Sequence, residues 1–371
     1  MSKKTEIRQK NELVKRKYLR WYQGAEGMSD LTIRSVEKAI EKYEDCTEHE
    51  DYTRYSNKRA ELFKKYLATN PGKRSGNPLN IRSRYAMIRH VRNFFAWLAI
   101  QPGYKSKIQL HDVRYLQLSK NERKQATAPS EPKYPSLDEI KAMCSFSANT
   151  EIERRDRALI AFTALTGMRD QAIVTLRLGC YDPLDRVVKQ LPSMGVKTKF
   201  RKEIFTTLLA IDDDLYRYFD EWYKYLKNDR HFADGDPLFP STEIGLVGPD
   251  HHAYEAKGVS SEFWADAGPM RKIFRQRCKE THTQYYYPHS FRHFVTNLAE
   301  RYISTPEQMK ALSQNMGHEH ITTTYRSYGA IGAGRANKVV RSIDFSKTNN
   351  DKQTQNFARQ VAKEMFELQQ K

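Results

Sequence analysis

The sequence predicts a mainly helical α+β protein of two domains with one small antiparallel sheet. Three observations predict it. Apolar residues recur at helical spacing along most of the 371-residue chain. Short β-rich stretches are confined to residues 180–211, and a Pro-, Ser- and charge-rich stretch at 119–135 interrupts the apolar periodicity. At about 100–200 residues per domain the length fits two domains, or three. A composition of 39% hydrophobic and 29% charged residues is that of a soluble globular chain and excludes a disordered or collagen-like one.

Asn11–Tyr22 and Leu31–Tyr43 read as helices, with Ser29 or Asp30 as N-cap of the second and Gly24 and Gly27 breaking the connection. Residues 1–50 are either part of the first domain or a separate helical extension of it. In Ile81–Leu98, Tyr85, Ile88, Val91, Phe95 and Leu98 fall at helical spacing while Arg82, Arg89 and Arg92 decorate the other faces. The stretch 119–135 then reads as an exposed linker, which places a domain boundary near 130. Ser136 and Glu139 form an S-x-x-E capping box that opens the second domain. After the helix Arg157–Thr166, Gly167 is suited to a left-handed C-terminal cap, so Met168 and Arg169 sit at a corner between helices. Arg186–Leu191 and Glu203–Leu208 read as paired strands, and the turn between them carries Lys197, Lys199, Arg201 and Lys202. Asp214–Leu226 is helical. Asn228–Gly268 reads as long loops with 236–240 extended. Pro288 starts the helix His289–Tyr302. A further helix is capped by Thr305, with Pro306 in its first turn, and ends at Gly317 before His318. Beyond Gly329, Gly332 and Gly334, a tail helix over 346–371 carries Phe357, Val361, Met365 and Leu368 as an apolar stripe, to be covered by its own domain or by a second copy.

Charge narrows the partner. With 63 Lys and Arg against 45 Asp and Glu, the net charge is +18, which calls for an acidic macromolecule. Residues 51–130 hold 17 basic against 4 acidic residues, a net of +13, so Lys73, Arg74, Arg82, Arg84, Arg89 and Arg92 are the expected polyanion grip. No run of about 18 uncharged apolar residues and no apolar leader occurs, so a cytoplasmic protein without a membrane partner is expected. Cys46, Cys144, Cys180 and Cys278 are too dispersed for a zinc knuckle or disulfide framework and read as buried small hydrophobes. No phosphate-binding Gly-rich motif is present.

Within HSFRH, His289 and Arg292 are three residues apart and share a helical face. His289 and His293 have metal-pair spacing, but the Glu of H-E-x-x-H and a third ligand are missing, so no metal is expected. Tyr325 and Tyr328, also three apart, share a face. Singly, each of these residues has a plain structural explanation. Their order changes the weighing: TGMR at 166–169, a lysine in a β-turn 28 residues later, PHSFRH, then MGH followed by threonines and tyrosine.

Over residues 60–330 that series resembles the tyrosine recombinases, the phage integrase family. The resemblance implies a helical core-binding domain over 1–130 and a tyrosine-recombinase catalytic domain over 131–345. It also implies a site of two arginines, a hairpin lysine, two histidines and a tyrosine nucleophile. Matched by motif, these are Arg169, Arg292, Lys197, His289, His318 and Tyr328, with His293 in support and Lys199 a competitor for the lysine role. The family register GH-x-x-I-x-x-T-x-x-x-Y fits Ile321, Thr324 and Tyr328 and selects Tyr328 over Tyr325. One departure stands out: the family's Glu three residues after the first arginine is Ala172 here, which leaves another carboxylate, with Asp170 a candidate, to orient Arg169.

The residue types suit phosphodiester chemistry in their own right. Two permanently charged guanidinium forks can stabilise the charge that develops on non-bridging oxygens, without metal, cofactor or ATP. A phenol with a pKa near 10 needs a base such as His289, and the leaving sugar oxygen needs a proton, which a mobile lysine can deliver. The expected partner is double-stranded DNA, met as a homo-tetramer in the bacterial cytoplasm or nucleoid, with accessory DNA-bending or directionality proteins for a mobile element. Two other readings compete: a type IB topoisomerase-like relaxing enzyme, and a binding protein on a degenerate scaffold.

Overall fold

The structure, a computed structural model, describes residues 2–70, 78–128, 131–247, 253–299, 302–303 and 306–318. Its contacts divide the chain into Met1–Pro129 and Ser130–Lys371.

In the first unit, α1 (Lys3–Gly24) and α2 (Asp30–Cys46) are capped by Ser2 and Ser29, whose hydroxyls accept from the amides of Thr5 and Thr32. The helices α3 (Asn57–Thr69) and α4 (Ile81–Leu98) pack with them. Tyr18, Val36, Ile40, Tyr43, Phe63 and Phe95 are all buried in one shared core. Aromatic rings fill its centre, Phe95 stacking on Tyr55 at 4.1 Å and meeting Tyr43 edge-on at 4.8 Å between centroids. A buried polar group fixes α1 to the rest: Lys15 pairs with Glu44 at 3.1 Å, and Glu44 accepts the Tyr52 hydroxyl at 2.7 Å. The short α5 (Leu110–Val113) leads to α6 (Lys120–Thr127).

That last helix corrects the linker expectation. Ser119 and Glu122 close a reciprocal capping box, and the helix lies against α4, so only the remainder of 119–135 is without regular structure among the described residues. The stretch KNERKQAT buries a single apolar residue, Ala126, which is too little for periodicity to reveal.

The second unit starts at α7 (Leu137–Cys144), with the capping box of Ser136 and Glu139 formed. The helix α8 (Glu151–Thr166) is the central strut: every residue from Ala158 to Thr166 is buried. Gly167 ends it at φ 57°, and a Cβ there would come within 3.1 Å of Met316 and 3.3 Å of Val295, so both conformation and space call for glycine. The short α9 (Asp170–Ile173) follows the corner. The sheet has the order β1 (Tyr181–Asp182), β2 (Val187–Gln190), β3 (Ile204–Thr207), all antiparallel, with Val188 opposite Thr206. Beyond it come α10 (Asp213–Lys224), which runs into a π-helical turn at Tyr225–Asp229, then α11 (Gly268–Glu280), α12 (Pro288–Ala299) and α13 (Pro306–Asn315).

The stretch 228–268 is not all loop: β4 (Thr242–Val247) and β5 (Ala253–Val259) pair antiparallel with a bulge at Glu243 and Ile244. Their described side chains are largely exposed, so the inside-outside alternation that marks a half-buried strand is missing. Cys144, Cys180 and Cys278 are buried, but Cys46 is only half-buried near the end of α2. No helix among the described residues is long and apolar enough to cross a membrane.

Candidate functional site

Arg292 projects from α12 into the protein and is 3% exposed. Its Nη1 donates to the Gly167 carbonyl at 3.0 Å, its Nη2 to the Met316 carbonyl, and its Nε to His318 Nε2 at 3.2 Å. One guanidinium thus ties together the C-terminus of α8 and the end of α13. A guanidinium has five N–H groups, so two of those on Arg292 have no partner among the described residues and can meet an anion. Burial first, and then the charge of Arg169, pulls the Arg292 pKa down to about 9, and the group stays protonated at neutral pH.

Arg169 precedes α9 on the corner that the left-handed Gly167 creates, and its pKa is lowered by burial. Its charge acts on Arg292, His289 and His318 together, which places all four around one centre. Two guanidinium groups that share no carboxylate among the described residues repel, and an anion between them removes that repulsion. The carboxylate expected of Asp170 is engaged elsewhere: its Oδ2 lies 2.5 Å from Arg271 Nη2 and 3.0 Å from its Nε. The ion pair ties α9 to α11, so the suggestion that Asp170 holds Arg169 is corrected.

His289, the second residue of α12, is exposed and lies edge-on to His293 at 5.5 Å and parallel to Tyr287 at 6.4 Å between centroids. Burial of the ring, followed by His293, Arg292 and Arg169, brings its pKa down to about 4, with Asp170 opposing. His318 falls to about 3, through burial and then Arg292, Arg169, His289 and Lys199. Both imidazoles are neutral at pH 7, and His318 Nε2 is the lone-pair side because it accepts from Arg292.

His318 is set in place by the end of α13. Asn315 bridges to β3, its Oδ1 accepting the Thr207 amide at 2.6 Å and its Nδ2 donating to the Thr207 carbonyl at 3.2 Å. The Asn315 carbonyl accepts the Thr206 hydroxyl at 2.7 Å. Gly317 at φ 62° then turns the chain directly over Ile204. The same β3 leads back to the basic turn. Within that turn, the Lys197 amide donates to Thr175 Oγ1 at 2.9 Å and its side chain is exposed. Lys199 is exposed too, and its charge reaches His318.

The centre therefore gathers Arg169, His289, Arg292 and His318, with His293 beside it and the Lys197–Lys199 turn on its β3 side. Tyr328 and Tyr325 lie outside the described residues, as do Lys73, Arg74 and the tail 346–371. Sequence reading missed Thr175, Arg271 and Asn315, none of which carries a motif signal. Among the described residues no group of three or more His, Cys, Asp or Glu is placed to hold a metal ion.

In the first unit, Arg89 and Arg92 are exposed on α4, and Arg82 donates to the Ala128 carbonyl at 2.6 Å. Arg84 is half-buried, 3.8 Å from Glu122, and faces a cleft also lined by Lys64, Lys65, Arg114, Lys120 and Arg123.

A helical unit with a basic face, joined in sequence to a unit whose two arginines and neutral histidines surround a place for an anion, defines the class: enzymes of the tyrosine-recombinase fold. Residues 136–333 match the model of the phage integrase family, and the chain belongs to that family. Solved structures share the fold. A lambda integrase (75–356) dimer bound to a COC′ core site is 14% identical, covering 85% of this chain and 94% of that one, with a TM-score of 0.59. XerH site-specific recombinase bound to a difH substrate is 14% identical over 92% of this chain and 84% of that one, with a TM-score of 0.53. The Tn1549 transposon integrase (82–397) in complex with circular intermediate DNA is 18% identical over 88% and 98%, with a TM-score of 0.52. No curated protein matches the sequence.

Proposed function

We propose that this chain is a site-specific recombinase that cuts and rejoins duplex DNA for a mobile element through a covalent 3′-phosphotyrosyl intermediate on Tyr328. The observation that carries the reading is the convergence of Arg169 and Arg292 with two neutral imidazoles, Arg292 keeping two N–H groups for a phosphate.

In the cleavage step the Tyr328 oxygen attacks the scissile phosphorus, a P–O bond to Tyr328 forms and the bond to the 5′ oxygen breaks. Neutral His289 accepts the phenolic proton. Arg169 and Arg292 stabilise the charge on the non-bridging oxygens, and His318 orients the phosphate from its place against Arg292. Lys197, or Lys199 from the same turn, gives the leaving 5′ oxygen its proton. The free 5′-hydroxyl of another strand reverses these steps and reseals the backbone, so bond energy is kept. The exposed Arg89 and Arg92, with the basic cleft beside α6, supply backbone contacts to the DNA. A lambda integrase tetramer has been solved on a Holliday junction, and the working form proposed here is likewise a homo-tetramer on DNA, in the bacterial nucleoid.

The test is a pool of nicked duplexes with a randomised centre, incubated with the full chain and recovered as covalent adducts. Wild-type protein yields adducts of one sequence class, and Tyr328→Phe yields none while retaining duplex binding. A binding protein on a degenerate scaffold gives none with either. Relaxation of supercoiled plasmid by monomeric protein, without sequence-selected adducts, favours a topoisomerase.

A further inference from the structure

The turn between β2 and β3 breaks three local rules at once. Phe200 has φ 60° and ψ 21°, a left-handed conformation that a β-carbon disfavours and that glycine or asparagine adopts more readily. Arg201 follows it at φ 54°, so two consecutive non-glycine residues are held there. The ring is also 73% exposed, one of the most exposed large apolar side chains among the described residues. Nothing in the core requires it, because the turn is anchored by other groups. Val196 is buried, the Lys197 amide is held by Thr175, and the Thr198 hydroxyl donates to the Lys202 carbonyl at 2.6 Å.

The surroundings say what this ring faces. Lys199 Nζ lies over it, 4.8 Å from the centroid, and Lys197, Lys199 and Arg201 make no ion pair among the described residues. An apolar ring on a strained tip beside Lys197, Lys199 and Arg201, which make no ion pair among the described residues, suits a partner that is anionic at its edge and aromatic inside, which describes a nucleic-acid groove. The turn also stands beside the anion-directed centre: Ile204 of β3 underlies Gly317, and the charge of Lys199 reaches His318.

We propose that Phe200 is a wedge that enters DNA at the base step flanking the scissile phosphate, stacks on the opened bases and so positions the lysine of its own turn against the leaving oxygen. This rests on the recombinase reading. Apolar side chains placed between base steps unstack and kink duplex DNA, and cations on the same loop neutralise the flanking phosphates. Held by backbone geometry rather than by packing, the ring projects before DNA arrives, which removes part of the ordering cost of insertion. Phe200 is a positioning residue, since the chemistry belongs to the lysine, histidine and arginine side chains.

The test uses the duplex selected by adduct formation, with thymines placed at the flanking step, and compares wild type with Phe200→Gly, Phe200→Ala and Phe200→Trp. Glycine relieves the left-handed backbone, so its thermal midpoint stays at or above wild type and a folding defect is excluded. With wild type, permanganate attacks the flanking thymines, which marks unstacking. In Phe200→Gly and Phe200→Ala that reactivity falls to the level of free duplex and single-turnover adduct formation slows about tenfold, while Phe200→Trp keeps both near wild type. Unchanged permanganate reactivity in Phe200→Gly overturns the wedge whether or not the rate falls, and leaves the recombinase reading standing. Failure of wild type to form any adduct removes that reading, and the wedge with it.

Discussion

At the scale of single residues, the two arginines are chemically alike and structurally unlike. Arg292 satisfies two buried carbonyls, those of Gly167 and Met316, and carries His318 on its third nitrogen. Arg169 makes no such bonds among the described residues and contributes charge. Arg292→Ala is therefore expected to cost about 3 kcal/mol of stability, because it strands buried acceptors, and to abolish adduct formation. Arg169→Ala should keep the stability within about 1 kcal/mol and lower adduct formation at least about a hundredfold. Denaturant melts run beside single-turnover cleavage check both. The imidazoles add a pH effect. His289 and His318 have folded pKa values of about 4 and about 3, against about 6.5 in an unfolded chain. As pH falls below about 6.5 the unfolded state takes up protons that the folded state refuses, so stability present at pH 7 drains away toward pH 4. Melts at pH 7.5 and 5 should show the loss, and His289→Gln combined with His318→Gln should flatten it. That these residues meet was legible in the sequence, because HSFRH and MGH carry them in the order of the family that the chain resembles. Their partners were not: Asp170 sits one position from Arg169 yet bonds Arg271, 101 residues away, and no local pattern encodes a contact of that range.

At the scale of elements, the packing of α13 on β3 decides where His318 stands. Gly317 is left-handed at φ 62°, and a Cβ there would lie 2.4 Å from Ile204 Cδ1. Gly317→Ala should destabilise the protein by about 1–3 kcal/mol. Because the strain falls on the His318 register, it should also slow cleavage on the selected duplex more than it weakens DNA binding, which rate and affinity measured together will show. Elements with a strong period or a cap were legible: α4 through its apolar stripe, α7 through Ser136 and Glu139, the α8 terminus through Gly167. The β2–β3 pair was legible because β-branched and apolar residues bracket a basic turn. The β4–β5 ribbon was not, since Ile244 is 66% exposed and no buried face imposes alternation. Nor was α6, whose burial is confined to Ala126.

At the scale of the whole molecule, charge distribution rather than total charge separates the two units. The net of +14 over 1–129 leaves +4 for 130–371. Each phosphate that a lysine or arginine neutralises contributes about 0.9 to the slope of log affinity against log salt. Replacing exposed Arg89 and Arg92 with alanine should then reduce that slope by about two and weaken binding to any duplex similarly, with thermal stability unchanged. Titrations between low and physiological salt measure it.

The double service of Arg292 bears on descent as well. A lineage that ceased to cut DNA and kept only binding could shed Arg169 by drift at small cost to the fold. It could not so easily shed Arg292, whose loss unfastens the end of α8 from the turn after α13. Silent members of such a lineage would thus be betrayed by decay at the TGMR corner while the HSFRH helix still read as intact, and an intact HSFRH alone is poor testimony that a distant cousin still cuts.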